Sequence, residues 1–182
     1  MKRRILFLGP PGAGKGTQAI RIASKYGLLH LSTGDLLREE VTAGTELGKE
    51  AKLIMDKGEL VSDELVLSIV EKRISNQKEG WLLDGFPRNL VQAASLQSLL
   101  EKINQPIEQV LLLELTDEVL IKRLLTRGRS DDTEETIKNR LTVYKEKTTP
   151  LIEHYSLLGL LKSVNGDGEM EEIENKIEEI LI

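Results

Sequence analysis

Along this chain, short unbroken runs of apolar residues alternate with longer stretches in which apolar positions recur with helical period. Five runs read as buried strands: Arg4–Leu8, Leu28–Leu31, Trp81–Asp84, Val110–Leu115 and Leu160–Val164. Strands separated by helices predict an α/β fold, a three-layer α/β/α arrangement around a five-stranded parallel sheet. The first helix is expected from about Lys15 to Tyr26, with Ala19, Ile22 and Ala23 facing inward and Gly27 as its stop. One crossover, from Ser32 to Gly80, runs about fifty residues, far beyond an ordinary connection, and holds three helix-like pieces punctuated by Gly44 and Gly58.

This spacing divides a single domain into a core (1–31, 62–126, 134–182), a small helical insertion (32–61) able to move relative to it, and a short loop (127–133). Ser62, with Asp63 and Glu64, reads as the N-cap and acidic first turn of the helix that returns to the core. A long helix is expected from Glu134 to about Leu158, kinked by Pro150. The acidic tail reads as a closing helix with Met170, Ile173, Ile177, Ile180 and Leu181 on its apolar face.

Composition narrows the partners. The 182 residues are 40% hydrophobic and 30% charged, as in a globular protein with a core of useful size. A net charge of −5 and only 3% aromatic residues argue against nucleic acid as a partner. There is no cysteine, and His30 and His154 are far apart, so no structural zinc is expected. The start MKRRILFLGPP imitates a signal peptide, but its apolar run stops at Gly-Pro-Pro. Neither export nor a membrane partner is expected, and a cytoplasmic location is.

Directly behind the first apolar run stands GPPGAGKGT, Gly9 to Thr17, close to the phosphate-loop pattern G-x-x-x-x-G-K-[ST]. Strand, glycine loop and helix together form an anion site from backbone N–H groups and the helix N-terminus, to which Lys15 adds a full charge. The final position departs from the pattern. Gly16 removes the hydroxyl that would hold Mg²⁺, so the ion must ride on phosphate oxygens and water, with Asp84 at the end of the third run as a candidate to orient that water. A carboxylate capping the turn at Gly85 is the alternative for Asp84.

Arginines supply the remaining charge. Arg88 follows Gly85-Phe86-Pro87, past the strand edge where ligands bind in open parallel sheets. Arg123 and Arg127, four apart, share a helix face and repel unless an anion sits there. Arg129 and Arg140 follow. Any one could be a solvated surface charge, but with Lys15 at one sheet edge they suit two phosphate-bearing groups held together. No nucleophile–base pair accompanies them. A phosphate acceptor needs none, because its oxygens are already largely ionised near neutral pH, so positioning and charge neutralisation would suffice.

These features resemble adenylate kinase, of the nucleoside monophosphate kinases, across essentially the whole chain. The markers are GPPGAGKGT (9–17), LSTGDLLR (31–38), GELVSDELV (58–66), LLDGFPRNLVQA (82–93), RGRSDD (127–132), EETIKNRL (134–141) and VNGDGE (164–169). The resemblance implies ATP, AMP and ADP as ligands and Mg²⁺ carried with ATP; a monomer is expected, although nothing in the sequence fixes the oligomeric state. It implies that Gly12, Ala13, Gly14, Lys15, Gly16 and Thr17 wrap the ATP phosphates; the family shares the Gly-Thr ending, so Gly16 is not a defect. Thr33 would lie near the AMP base and Arg38 on its phosphate. Glu59, Leu60 and Val61 would line the AMP pocket, where Glu59 replaces a residue often basic in relatives. Gly85, Phe86 and Pro87 would shape that site, Arg88 grip the phosphate, and Gln92 hydrogen-bond the adenine edge. Arg123, Arg129 and Arg140 would cluster around the transferred phosphoryl group, Arg129 and Arg140 also reaching AMP. Arg127 would lie over the ATP base, and Gly168 would approach it through its backbone.

A Gln amide offers a donor and an acceptor together, matching the adenine edge. UMP/CMP kinases are similar but carry Ala where Thr33 stands and an Asn-rich run after Pro-Arg; Thr33 and N-L-V-Q favour AMP. A GTP switch would want Asn-Lys-x-Asp, and the nearest match, Asn175 to Glu178, ends in Glu inside an expected helix. The departure from the family is the lid, where only Gly128 separates Arg127 from Arg129. Exclusion of water would then lean on closure of the insertion and on the arginines themselves.

Overall fold

The computed structural model describes residues 1–75, 77–129 and 132–182. Chain order is β1 (Arg4–Leu8), α1 (Lys15–Tyr26), β2 (Leu29–Ser32), α2 (Thr33–Ala43), α3 (Glu46–Met55), α4 (Asp63–Ile74), β3 (Trp81–Asp84), α5 (Leu90–Lys102), β4 (Gln109–Glu114), α6 (Asp117–Arg127), α7 (Glu134–Val143), a π-helical turn (Tyr144–Thr148), α8 (Pro150–Leu157), β5 (Leu161–Asn165) and α9 (Met170–Leu181). The strands form one sheet in the order β2-β3-β1-β4-β5, and every neighbouring pair is parallel.

β1 lies at the centre, with Phe7 paired to Asp84 on one side and Leu8 to Leu112 on the other. Successive side chains of a strand point to opposite faces. Leu6, Leu8, Trp81, Leu83 and Leu112 accordingly enter one core, and Ile5, Phe7, Leu82 and Leu111 the other. A sheet covered on both faces explains why these strands read as unbroken apolar runs. α1 buries Ala19, Ile22 and Ala23 as expected, together with Gln18, and ends at Gly27, whose N–H returns to the Ala23 carbonyl.

Four expectations need correction. β5 is an edge strand, not a buried one: Val164 is buried, but Lys162 and Ser163 are exposed. Glu134 to Leu158 is not one kinked helix but α7 and α8 joined by the π-helical turn. Pro150 has no N–H to give and its ring crowds the carbonyl four residues back, so the chain widens, with Thr149 N–H donating to the Tyr144 carbonyl at 2.9 Å. Ser62 stands at the N-cap of α4, but its hydroxyl makes no cap bond. On α9, Ile173, Ile177 and Leu181 are buried and Ile180 partly so, whereas Met170 is 54% exposed at the helix start. No helix among the described residues is long and apolar enough to cross a membrane. The 127–133 loop falls partly on residues 130 and 131, so part of it, including the Ser130-Asp131 step of RGRSDD, lies outside the described residues.

Candidate active site

The carboxyl ends of β1, β2 and β3 stop side by side, since Phe7, Ser32 and Asp84 share one register level. A cleft of about 670 Å³ opens above them, within the usual range for a ligand site. Its floor is the loop from Gly9 to Gly14, where α1 begins. Gly12 sits at φ +86°, and a Cβ there would come within 2.9 Å of Leu124 Cγ and 3.1 Å of the Leu120 carbonyl, so only glycine lets α6 press onto the loop.

Lys15, the first residue of α1, folds its ammonium back over the loop and donates to the carbonyls of Gly9 (2.8 Å) and Pro10 (3.0 Å). Burial pushes its pKa down to about 8; nearby Asp84 opposes this, while Arg88 and Arg127 reinforce it. Asp84 itself is 8% exposed, and a Cβ on Gly16 would meet its Oδ2 at 3.4 Å. The position where the usual loop has a hydroxyl therefore looks directly at the Asp84 carboxylate.

Across the cleft, the turn after β3 is tied to three other segments. Gly85, at φ +83°, presents its carbonyl to Arg88 Nε (2.6 Å) and Thr33 Oγ1 (2.9 Å); a Cβ there would approach both side chains to 3.0 Å. Arg88 N–H donates to Gln92 Oε1 (2.6 Å), and the Arg88 carbonyl accepts from Thr148 Oγ1 (2.7 Å), in the π-helical turn. Burial pulls the Arg88 pKa down, with Arg140 and Arg38 adding to the effect and Asp84 opposing it. A guanidinium remains charged in any case. It is thus a half-buried cation held by its backbone, with its Nη groups free of any described carboxylate partner.

Two carboxylates that sequence reasoning did not single out organise the other arginines. Asp132, whose side chain is 1% exposed, accepts two bonds from Arg127 (2.9 and 2.7 Å), one from Arg140 (3.0 Å) and one from the Arg129 N–H (3.2 Å). Burial alone would raise its carboxyl pKa, but the bonds and charges of Arg127, Arg129 N–H and Arg140 outweigh that and hold it below the ordinary carboxylate range. Asp35 pairs with Arg38 on α2 and lies 3.5 Å from Arg129. The only signal for either was its place inside a quoted marker, GDLLR or RGRSDD.

Nearly every residue expected at the site lines this cleft: the loop from Gly12 to Thr17, Thr33, Arg38, Glu59 to Val61, Asp84, Gly85, Pro87, Arg88, Gln92, Arg123, Arg127, Arg129, Arg140 and Gly168. Phe86 does not. It is 1% exposed and packs into the core beneath the turn, because its neighbours on both sides face the cleft and the backbone turns it inward. Arg123 and Arg127 both line the cleft but stand at different places in it. Arg123 lies against the loop's far end, donating to the Gly166 carbonyl (3.1 Å), with its Nη1 3.8 Å from a Cβ on Gly14. The charge of Arg127 acts on Lys15. One helical turn along α6 separates them, so the difference is positional and was not legible from their spacing.

A family model described as adenylate kinase matches residues 7–160. An adenylate kinase of one Prochlorococcus marinus strain is 64% identical over 181 residues, covering 100% of both chains. That of another strain of the same species, MIT 9211, is 66% identical over 174 residues, 95% of this chain and 94% of the relative. One of Synechococcus sp. (strain RCC307) is 60% identical over 177 residues, 97% of each. The chain belongs to the adenylate kinase family. Membership makes it a nucleoside monophosphate kinase, hence a phosphotransferase, on the α/β fold with a five-stranded parallel sheet expected from its sequence. In this adenylate kinase-type cleft the cations of the loop, of β3's turn and of α6 and α7 all converge on one space.

Proposed function

We propose that the chain transfers the γ-phosphoryl group of ATP to AMP, reversibly and with Mg²⁺, giving two ADP and so balancing adenine nucleotides, as a cytoplasmic monomer. The observation that carries this reading is the convergence of Lys15 and Arg88 on one cleft, with Gln92 bonded to the Arg88 backbone. Two anion grips in one cleft suit a donor and an acceptor phosphate better than one hydrolysed nucleotide. The loop N–H groups and Lys15 would hold the donor's phosphates. Arg123, bonded to the Gly166 carbonyl, would lie towards the donor's base. Arg127 would face the transferred group together with Arg129 and Arg140, all three gathered by Asp132. Arg88 and Arg38 would take the AMP phosphate, and Thr33 and Gln92 its base, along a wall of Glu59, Leu60 and Val61.

No general base is required, because the attacking AMP oxygen is already largely ionised. Rate enhancement then comes from alignment of two phosphates and from cations placed where charge is greatest. Water would be excluded by the insertion (32–61) folding towards the core, with the 127–133 loop adding its arginines.

Mg²⁺ fits this site through its ligand chemistry. Among the described residues no three His, Cys, Asp or Glu side chains cluster to hold a metal, and Mg²⁺ commonly keeps several waters and binds through one carboxylate plus substrate phosphates. Asp84, buried and facing Gly16, is the residue that would hold such a water. The ion would supply neutralisation of phosphate charge. The test is ADP formation from ATP and Mg²⁺ with AMP, UMP, CMP or water alone. AMP is expected to exceed the others by orders of magnitude; UMP or CMP matching AMP would overturn the acceptor assignment.

A further inference from the structure

Asp63 begins α4, where an acidic side chain ordinarily serves its own helix's N–H groups. Here its carboxylate reaches across to the start of α5 instead. Asp63 Oδ1 accepts from Gln92 Nε2 (2.7 Å) and from Asn89 Nδ2 (3.2 Å). Asn89 turns its own oxygen to the Gln92 N–H (2.8 Å), capping α5, and Gln92 turns its oxygen to the Arg88 N–H (2.6 Å).

Each end of this chain of bonds has a single polarity. A carboxylate only accepts, and a backbone N–H only donates. The Gln92 amide between them has one self-consistent orientation, since a flip would set its NH₂ against the Arg88 N–H and its oxygen against Asp63. Gln92 is 2% exposed, so the wrong orientation would leave two mismatched polar pairs buried. One Nε2 hydrogen and one Oε1 lone pair remain for the cleft that Gln92 lines.

We infer that Asp63 is a specificity-determining positioning residue: by fixing which way the Gln92 amide points, it selects acceptor bases whose edge carries an amino donor beside a ring-nitrogen acceptor. Adenine has that edge. Guanine, of the same ring size, presents a carbonyl acceptor beside an N–H donor. With the phosphate anchored at Arg88, guanine has no freedom to turn over and match. A site that leaves a buried polar group unpaired rejects a ligand far more strongly than one that misfits by a methylene.

The inference rests on Gln92 contacting the acceptor base, and the test separates the two. kcat/KM is measured with AMP and GMP as acceptors in D63A, D63N and Q92L. In D63A the AMP:GMP ratio is expected to fall about tenfold, the loss of a hydrogen bond to a charged group. D63N keeps an oxygen that accepts and is expected to restore most of the ratio, which a merely structural role for Asp63 would not bring about. A ratio unchanged in D63A but lowered in Q92L would overturn the inference and leave the role of Gln92 standing. A ratio unchanged in both would overturn the base contact itself. D63N as poor as D63A would place the effect on charge and likewise overturn the polarity argument. If D63A does not fold, D63S, too short to reach Gln92, carries the same comparison.

Discussion

Lys15 is the residue whose assigned role is most open to measurement. Its ammonium is bonded to the Gly9 and Pro10 carbonyls, and burial lowers its pKa from 10.5 to about 8. Donor phosphates in the loop would surround it with negative charge and return the pKa to its ordinary value or above. ATP binding then takes up a proton wherever the free protein has lost it. Between pH 7 and pH 9 the charged fraction of the free group falls from about nine-tenths to about one-tenth, so the ATP dissociation constant should rise about tenfold. The sign for folding is the opposite. A lysine whose folded pKa lies below its unfolded value opposes folding at neutral pH, and that cost is relieved as pH rises from about 8 towards 10.5. Calorimetric titration with ATP and thermal melts of the free protein, each across this window, read the two slopes. K15M should lack both, and it also subtracts any titration of ATP itself. ATP affinity flat from pH 7 to pH 9, or a K15M slope equal to the wild type, would refute the assignment.

Other expectations concern the arginines and the packing. R123A should mainly raise KM for ATP, and R127A should mainly lower kcat, because Arg123 is bonded to the Gly166 carbonyl whereas Arg127 acts on Lys15 and is bonded to Asp132; steady-state kinetics showing the reverse pattern would restore the order expected from sequence. D132N should lower kcat at least about tenfold by removing the negative charge that gathers the Arg127 and Arg140 guanidinium groups. Asp132's depressed pKa means its stabilisation is present above the ordinary carboxyl range and is lost as pH falls through the folded pKa. Thermal melts towards acid pH should therefore fall less steeply in D132N, and equal slopes would contradict the ion-pair geometry. G48A should destabilise by about 2 kcal/mol or more in denaturant titration, since its Cβ would lie 2.0 Å from the Glu40 carbonyl where α3 crosses α2; a loss under about 0.5 kcal/mol would show that the crossing is looser.

Much of this site was legible because its parts are local. A strand, a glycine loop and a helix occupy consecutive residues, so GPPGAGKGT could be placed before any long-range contact was known. The cations were legible as a group, since Arg88 follows a strand end and Arg123 and Arg127 share a helix face. Position within the group was not legible. Whether Arg123 or Arg127 meets the loop depends on how far α6 slides along Gly12, which the packing of Leu120 and Leu124 decides. Phe86 was assigned to the cleft with its neighbours, although the turn buries it. Asp132 and Asp63 were missed for another reason. Each acts by orienting a different side chain across the fold, and a carboxylate near a helix start has an adequate local explanation that hides the distant one. The π-helical turn at Tyr144–Thr148 was expected only as a proline kink, yet it brings Thr148 to the Arg88 carbonyl.

The central claim is that the γ-phosphoryl group passes to the phosphate of AMP inside one cleft. ATP labelled at the γ-phosphorus, incubated with unlabelled AMP, Mg²⁺ and the protein, tests this in a single measurement. Direct transfer predicts label at the β-position of ADP, none in inorganic phosphate, and no turnover when AMP is withheld. Label released as inorganic phosphate, with or without AMP, would contradict it.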